Sequence, residues 1–215
     1  MLDIFKKPVT IIIIFVAILL ALGWSYYQSW RENRNTTTPI NQVPIEITNL
    51  ANVDASEFDE VVTEEFALAK VKAQEVNANN SLGAIVIELP SMEINSGNSR
   101  YIFSNPEDAG NNWVFTISQL TGNYIRASIP KDDYMGDLDE LNTKLWKYNY
   151  VTALQIAESN EGLNFRESNS IENITLTLKH SNPNNWLIWS VVYKSTTGNE
   201  LSVKIDSNSG HIIEE

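Results

Sequence analysis

Cysteine is absent from this 215-residue chain, so disulfides, thiolate nucleophiles and cysteine-held zinc or iron–sulfur centres are excluded. Histidine is nearly absent. His180 and His211 are the only two, each among polar residues near a predicted strand end, where a zinc site would need both of them plus carboxylates. Positive charge is also scarce: 15 Lys and Arg stand against 27 Asp and Glu, a net charge of −12. A surface of that sign repels a phosphate backbone, so nucleic acid is set aside as a partner. The patterns G-x-S-x-G, H-E-x-x-H and G-x-x-x-x-G-K-[ST] are missing, and with them the local signatures of a serine nucleophile, a zincin and a phosphate loop. No catalytic residue, cofactor or metal is therefore assigned, and the chain is not expected to be an enzyme.

What is present begins with a long apolar run. From Pro8 to Trp30 there is no charged side chain in 23 residues, and a helix of roughly 20 such residues crosses about 30 Å of hydrocarbon. Trp24, Tyr26, Tyr27 and Trp30 follow as aromatics suited to a headgroup interface. Residues 1–30 thus read as a membrane anchor, with residues 8–27 in contact with the membrane. The alternative is a signal peptide cut near Gly23, since Lys6 and Lys7 form a basic start and Ala21-Leu22-Gly23 offers small residues. Without residues 1–24, 13 basic and 26 acidic groups remain, a net of −13, so the acidity belongs to the rest of the chain. A short N-terminal flank before a long acidic part favours a cytoplasmic N-terminus and extracytoplasmic C-terminal domains.

Residues 31–53, rich in Asn, Thr and Pro, read as a flexible tether. Ser56 and Asp59 then form a capping-box-like start, followed by Phe58, Val62, Phe66, Ala69, Ala73 and Val76 at helical spacing, which predicts a helix over about 56–78. Strands are predicted at 82–89, 113–119 and 124–129, separated by a polar stretch carrying Pro90, Gly97 and Pro106. Asp137 and Glu140 predict a second helix with Leu138, Leu141, Leu145, Tyr148, Thr152 and Ile156 inward, ending near Gly162. Strands follow at 171–179, 186–194 and 200–206. In the first of these, Ile174, Leu176 and Leu178 alternate with polar residues, so one sheet face is buried and the other wet.

The order repeats. Trp113 and Trp189 lie 76 apart, as do the Thr-Gly-Asn triplets at 121–123 and 197–199, and Ile129 and Ile205. Ala69 and Ala73 match Ala153 and Ala157 at an offset of 84, which places about eight extra residues in the first copy, between Pro90 and Pro106. The fold class expected is α+β: an N-terminal transmembrane helix, then two tandem units, 54–135 and 136–215, each one helix on an antiparallel sheet.

The acidic run 131–140 holds Asp132, Asp133, Asp137, Asp139 and Glu140. It fits a solvated interdomain loop at the positive end of the second helix better than a hard-cation site. The closing stretch VKIDSNSGHII fails as an EF-hand: with Asp206 first, Gly210 falls at the fifth place rather than the sixth, and the final carboxylate would lie past the last residue. Asp206 instead suits accepting backbone N–H bonds, and Gly210 a positive φ. Trp186 and Trp189 differ by an odd number, so on a regular strand they face opposite sides of the sheet, and Trp186 is the candidate partner contact.

Taken together, the helix with Ala153 and Ala157, the Trp189-led strand and the terminal Val203-Lys204-Ile205-Asp206 with Gly210 and Ile212 resemble the PepSY family. These are small α+β domains of metallopeptidase propeptides and of exported or membrane-anchored bacterial proteins. The resemblance covers about 140–213. The first unit is a degenerate copy, keeping Trp113 but with Ser128-Ile129-Pro130 where an Ile-Asp step is expected. It implies a structural role for Trp113, Trp189, Ile205, Asp206 and Gly210. It also implies a noncatalytic module that binds or regulates an envelope peptidase or another envelope protein. A structural subunit of a membrane complex is the alternative, and an envelope hydrolase a weaker one.

Overall fold

The structure, a computed structural model, describes residues 43–90, 92–108, 110–181 and 186–214. The anchor expected over 1–30 and the tether to residue 42 lie outside these. Among the described residues no helix is long and apolar enough to cross a membrane.

The alternating segments form strands β1 (Ile45–Glu46), β2 (Ser81–Leu89), β3 (Glu93–Ile94), β4 (Asn98–Ser104), β5 (Asn111–Ser118), β6 (Tyr124–Pro130), β7 (Ile171–Ser181), β8 (Trp186–Ser195) and β9 (Glu200–Asp206). β1 and β3 pair with each other, and the other seven make one antiparallel sheet in the order β6-β5-β4-β2-β7-β8-β9. Helices α1 (Glu57–Val76), α2 (Tyr150–Ala157) and α3 (Leu163–Ser168) share one core with one face of that sheet, the last two joined by a π turn over Glu158–Gly162. The α+β class is thus observed. Small side chains let the helices come close: Ala69, Ala73, Ala153 and Ala157 are all fully buried.

Instead of one main sheet per unit, the two halves share the seven-stranded sheet, because β2 pairs with β7 and a single core cluster draws on both halves. The stretch expected as a loop between Pro90 and Pro106 supplies β3 and β4. The tether's described end, from Val43, is also structured. β1 and a 3-10 turn at Ile47–Asn52 bury Ile47 and Leu50 in the core.

The second helix begins at Tyr150 rather than at Asp137. Leu138 packs on the helix-free face with Ala84, Val86, Ile102 and Val114, while Leu141 joins the helix-side core and its N–H meets the Leu82 carbonyl at 2.7 Å. The segment is a strap around the end of β2, and its leucine spacing serves two faces of the sheet rather than one face of a helix. The acidic run consequently lies well before the helix and not at its positive end. Gly162 ends no helix either. It continues the turn into α3 where an added Cβ would stand 2.5 Å from the Tyr193 hydroxyl.

The repeat alignment is also amended. Trp113 and Trp189 both point toward the helix layer, but Trp113 pairs with Ser128 and Trp189 with Ile205. The β5–β6 connection runs from Gln119 to Asn123, one residue longer than Thr196–Asn199 between β8 and β9. A one-residue slip reverses the faces, so Ile129 joins the helix-free cluster while Ile205 is buried under the helices. Strand direction reinforces this. β5 and β8 both run parallel to β2 by the chain of antiparallel pairings, whereas a rotation exchanging the halves about the β2–β7 boundary reverses direction and equates β8 with β4.

Candidate functional site

The face opposite the helices is only partly covered. The strap packs Tyr134, Met135 and Leu138 over the part built by β2, β4 and β5. Over β7, β8 and β9 the register aligns Thr175, Val192 and Ser202 in one row and Thr177, Ser190 and Lys204 in the next, all half-buried or exposed. Trp186 opens β8 on this face and is 46% exposed, whereas Trp189, on the other face, is 1% exposed. Its indole N–H donates to the Tyr148 carbonyl at 2.8 Å.

Of the other singled-out residues, Trp113 lies on the helix side, while Asp206 ends β9 on the helix-free face and leads into the closing turn that holds Gly210. Trp113 packs at the margin of the helix-side core under the Arg126 guanidinium, 5.5 Å from the ring centre. Asp206 Oδ1 accepts the N–H groups of Asn208 and Ser209 at 2.8 and 2.9 Å, and its carbonyl accepts Gly210 N–H at 2.8 Å. Gly210 has φ 74°, and a Cβ there would stand 3.2 Å from the Tyr148 ring. The buried Ser207 between them accepts Lys147 and Tyr148 N–H through its carbonyl and donates its hydroxyl to the Leu145 carbonyl. The closing turn therefore latches the segment leading into α2.

The two histidines sit at separate places in the fold. His180 Nε2 lies 3.0 Å from the Glu140 carbonyl on the strap, and His211 is exposed. Among the described residues no three or more His, Asp or Glu side chains converge in a way that holds a cation.

A second feature was not anticipated from the sequence. Glu65 continues the inward stripe of α1 between Val62 and Ala69 and accepts the Tyr101 hydroxyl at 3.1 Å. Burial raises its carboxyl to about 7, and hydrogen bonds from Ser99 and Tyr101 only partly oppose that. Around it Gln119 Nε2 donates to Ser99 Oγ at 3.3 Å, and Tyr150 donates to Asn95 Oδ1 at 3.3 Å. Burial, then the Glu65 charge, lifts the Tyr101 and Tyr150 hydroxyls above the usual phenol range. The spacing of the stripe was the available signal. The groove beside α1, about 300 Å³ and floored by Phe66 and Trp146, is lined by Asp59 and Asn149 but not by Glu65. The carboxyl can take up a proton near neutrality under the helix, without lining that groove.

The other half has a half-buried ion pair. Arg166 Nε and Nη2 both donate to Glu158 Oε2, at 3.1 and 2.9 Å, across the π turn. Burial first, and the Glu158 charge next, push the Tyr193 hydroxyl up, with Arg166 opposing.

No protein-family model, curated protein or solved structure matches this chain.

Proposed function

We propose that this chain is a noncatalytic binding or regulatory protein, held at the cell membrane through residues 8–27, with its folded part extracytoplasmic. It presents the helix-free face of β7–β9 to an envelope protein, a peptidase being the partner class that the PepSY resemblance implies. The observation that carries this reading is Trp186. A large aromatic left 46% exposed at the margin of a partly covered sheet face, next to the buried Ile188, has the composition of an interface anchor, while Trp189 on the other face serves the core.

The test is Trp186→Ala in the full-length chain, crosslinked in its native membrane. The expected outcome is an unchanged melting temperature, within about 2 °C, with the crosslinked partner lost. A large loss of thermal stability would make Trp186 a core residue, and retained crosslinking would place the interface elsewhere.

A further inference from the structure

The two edges of the seven-stranded sheet are treated differently by the sequence. β9 carries Glu200, Lys204 and Asp206, and the C-terminal segment adds to its edge, with Ile212 bridging Ile205 and Ile213 N–H on the Lys204 carbonyl at 2.8 Å. Charges and coverage of this kind keep an edge from pairing. β6 has one charged residue, the exposed Arg126, whose guanidinium lies over the Trp113 ring, and no described strand pairs with its outer side. Ile125 is 69% exposed, and Ala127 and Ser128 are exposed beside it.

The hydrogen bonds flanking β5 fix which main-chain groups of β6 are free. Gln119 N–H donates to Gly97 across β4–β5, whereas Ser118 N–H donates to Asn123 and Lys131 N–H to Gly110 across β5–β6. Antiparallel alternation then turns the N–H and C=O groups of Ile125, Ala127 and Ile129 toward β5. Those of Tyr124, Arg126 and Ser128 point outward, away from the sheet.

We propose that β6 pairs antiparallel with β6 of a second copy of this chain, about a two-fold axis through Ala127. Among the registers that let the outward groups meet, the two central ones, with the axis at Arg126 or at Ala127, overlap most of β6. An axis at Arg126 would set the two Arg126 residues opposite each other, which like charge disfavours. With the axis at Ala127, each Arg126 exchanges both main-chain bonds with Ser128 of the other copy, and Tyr124 N–H meets the Pro130 carbonyl, where the missing proline N–H matters least. The same register puts Ile125 against Ile129 of the other copy on the helix-free face, with the two Ala127 methyls between. β6 contains no carboxylate, so a chain of net charge −12 brings none of its acids into this row. A strand from an unrelated protein shares none of this self-complementarity, which is why the occupant is a second copy.

The absence of cysteine makes the test direct. Across the axis the two residue-127 Cα atoms would be about 4.5 Å apart, within the span a disulfide bridges. Mild oxidation of full-length Ala127→Cys in detergent should give a reducible covalent dimer, while Ser202→Cys on exposed β9 stays uncrosslinked. Ser128→Pro, which removes only an outward N–H, and Ile125→Lys should each weaken the dimer by at least about tenfold in sedimentation, with circular dichroism unchanged. Crosslinking of Ala127→Cys no faster than of Ser202→Cys overturns the proposal, as does a parent chain that sediments as a monomer at tens of micromolar. Capture of Ala127→Cys by a different protein overturns it in favour of a strand donated by that protein.

Discussion

Glu65 interrupts the apolar stripe of α1, and its protonation is coupled to the docking of that helix. Burial lifts the folded-state carboxyl from 4.5 to about 7, so between those values the folded chain holds a proton that the unfolded chain releases. The stability this group contributes is complete below pH 4.5 and is lost as pH rises to about 7, a swing of about 3 kcal/mol. Asp54 acts with the opposite sign. Bonds from the Ser56 side chain and then its N–H lower its carboxyl, so its small contribution is present at neutral pH and lost in acid. Glu65→Gln keeps the shape and removes the titration. Denaturant unfolding should show the variant gaining on the parent between pH 5 and pH 8 by a large part of those 3 kcal/mol. An equal difference at both pH values would rule Glu65 out as the responsible group.

At the scale of elements, Asn149 joins the two main helices. Its Oδ1 caps α2 by accepting Thr152 N–H at 3.0 Å, and its Nδ2 donates to the Ala55 carbonyl and to Asp59 Oδ1, both at 2.7 Å, at the start of α1. Asn149→Ala loses all three bonds and should cost about 1–3 kcal/mol. Asp, ordinarily as good a cap, should restore little, since it sets a second carboxylate against Asp59 and offers the Ala55 carbonyl no donor. Thermal melts of the two variants check this, and full rescue by Asp would reduce Asn149 to a cap. Sequence periodicity made α1 and six of the seven sheet strands legible, because apolar residues alternate or recur there against a single core. It missed β4, whose short Tyr101-Ile102-Phe103 run is buried on both faces and so shows no alternation. It misread the strap, whose leucines imitate a helical stripe while reaching two faces of the sheet. Trp186 could be placed opposite Trp189 by parity alone, whereas Glu65 was visible as a position but its burial depends on residues far along the chain.

At the scale of the whole molecule, the repeat in the sequence suggests two independent units, yet the packing joins them. Ile87 of β2 pairs with Leu176 of β7, both buried beneath helices from the two halves, so neither half can expose this seam without opening the common core. Cooperative unfolding follows, because separate melting would cost each half the ladder and apolar cover supplied by the other. Leu176→Ala removes buried volume at the seam and should cost about 2–5 kcal/mol. It should lower one shared transition rather than split it. Far-ultraviolet circular dichroism follows the sheet, while fluorescence of Trp113→Phe and Trp189→Phe variants weights the opposite halves. Coincident curves in parent and Leu176→Ala chains are expected. Two resolved transitions in the parent would mean that the β2–β7 seam joins two domains that fold separately, and the shared core would then contribute little to either.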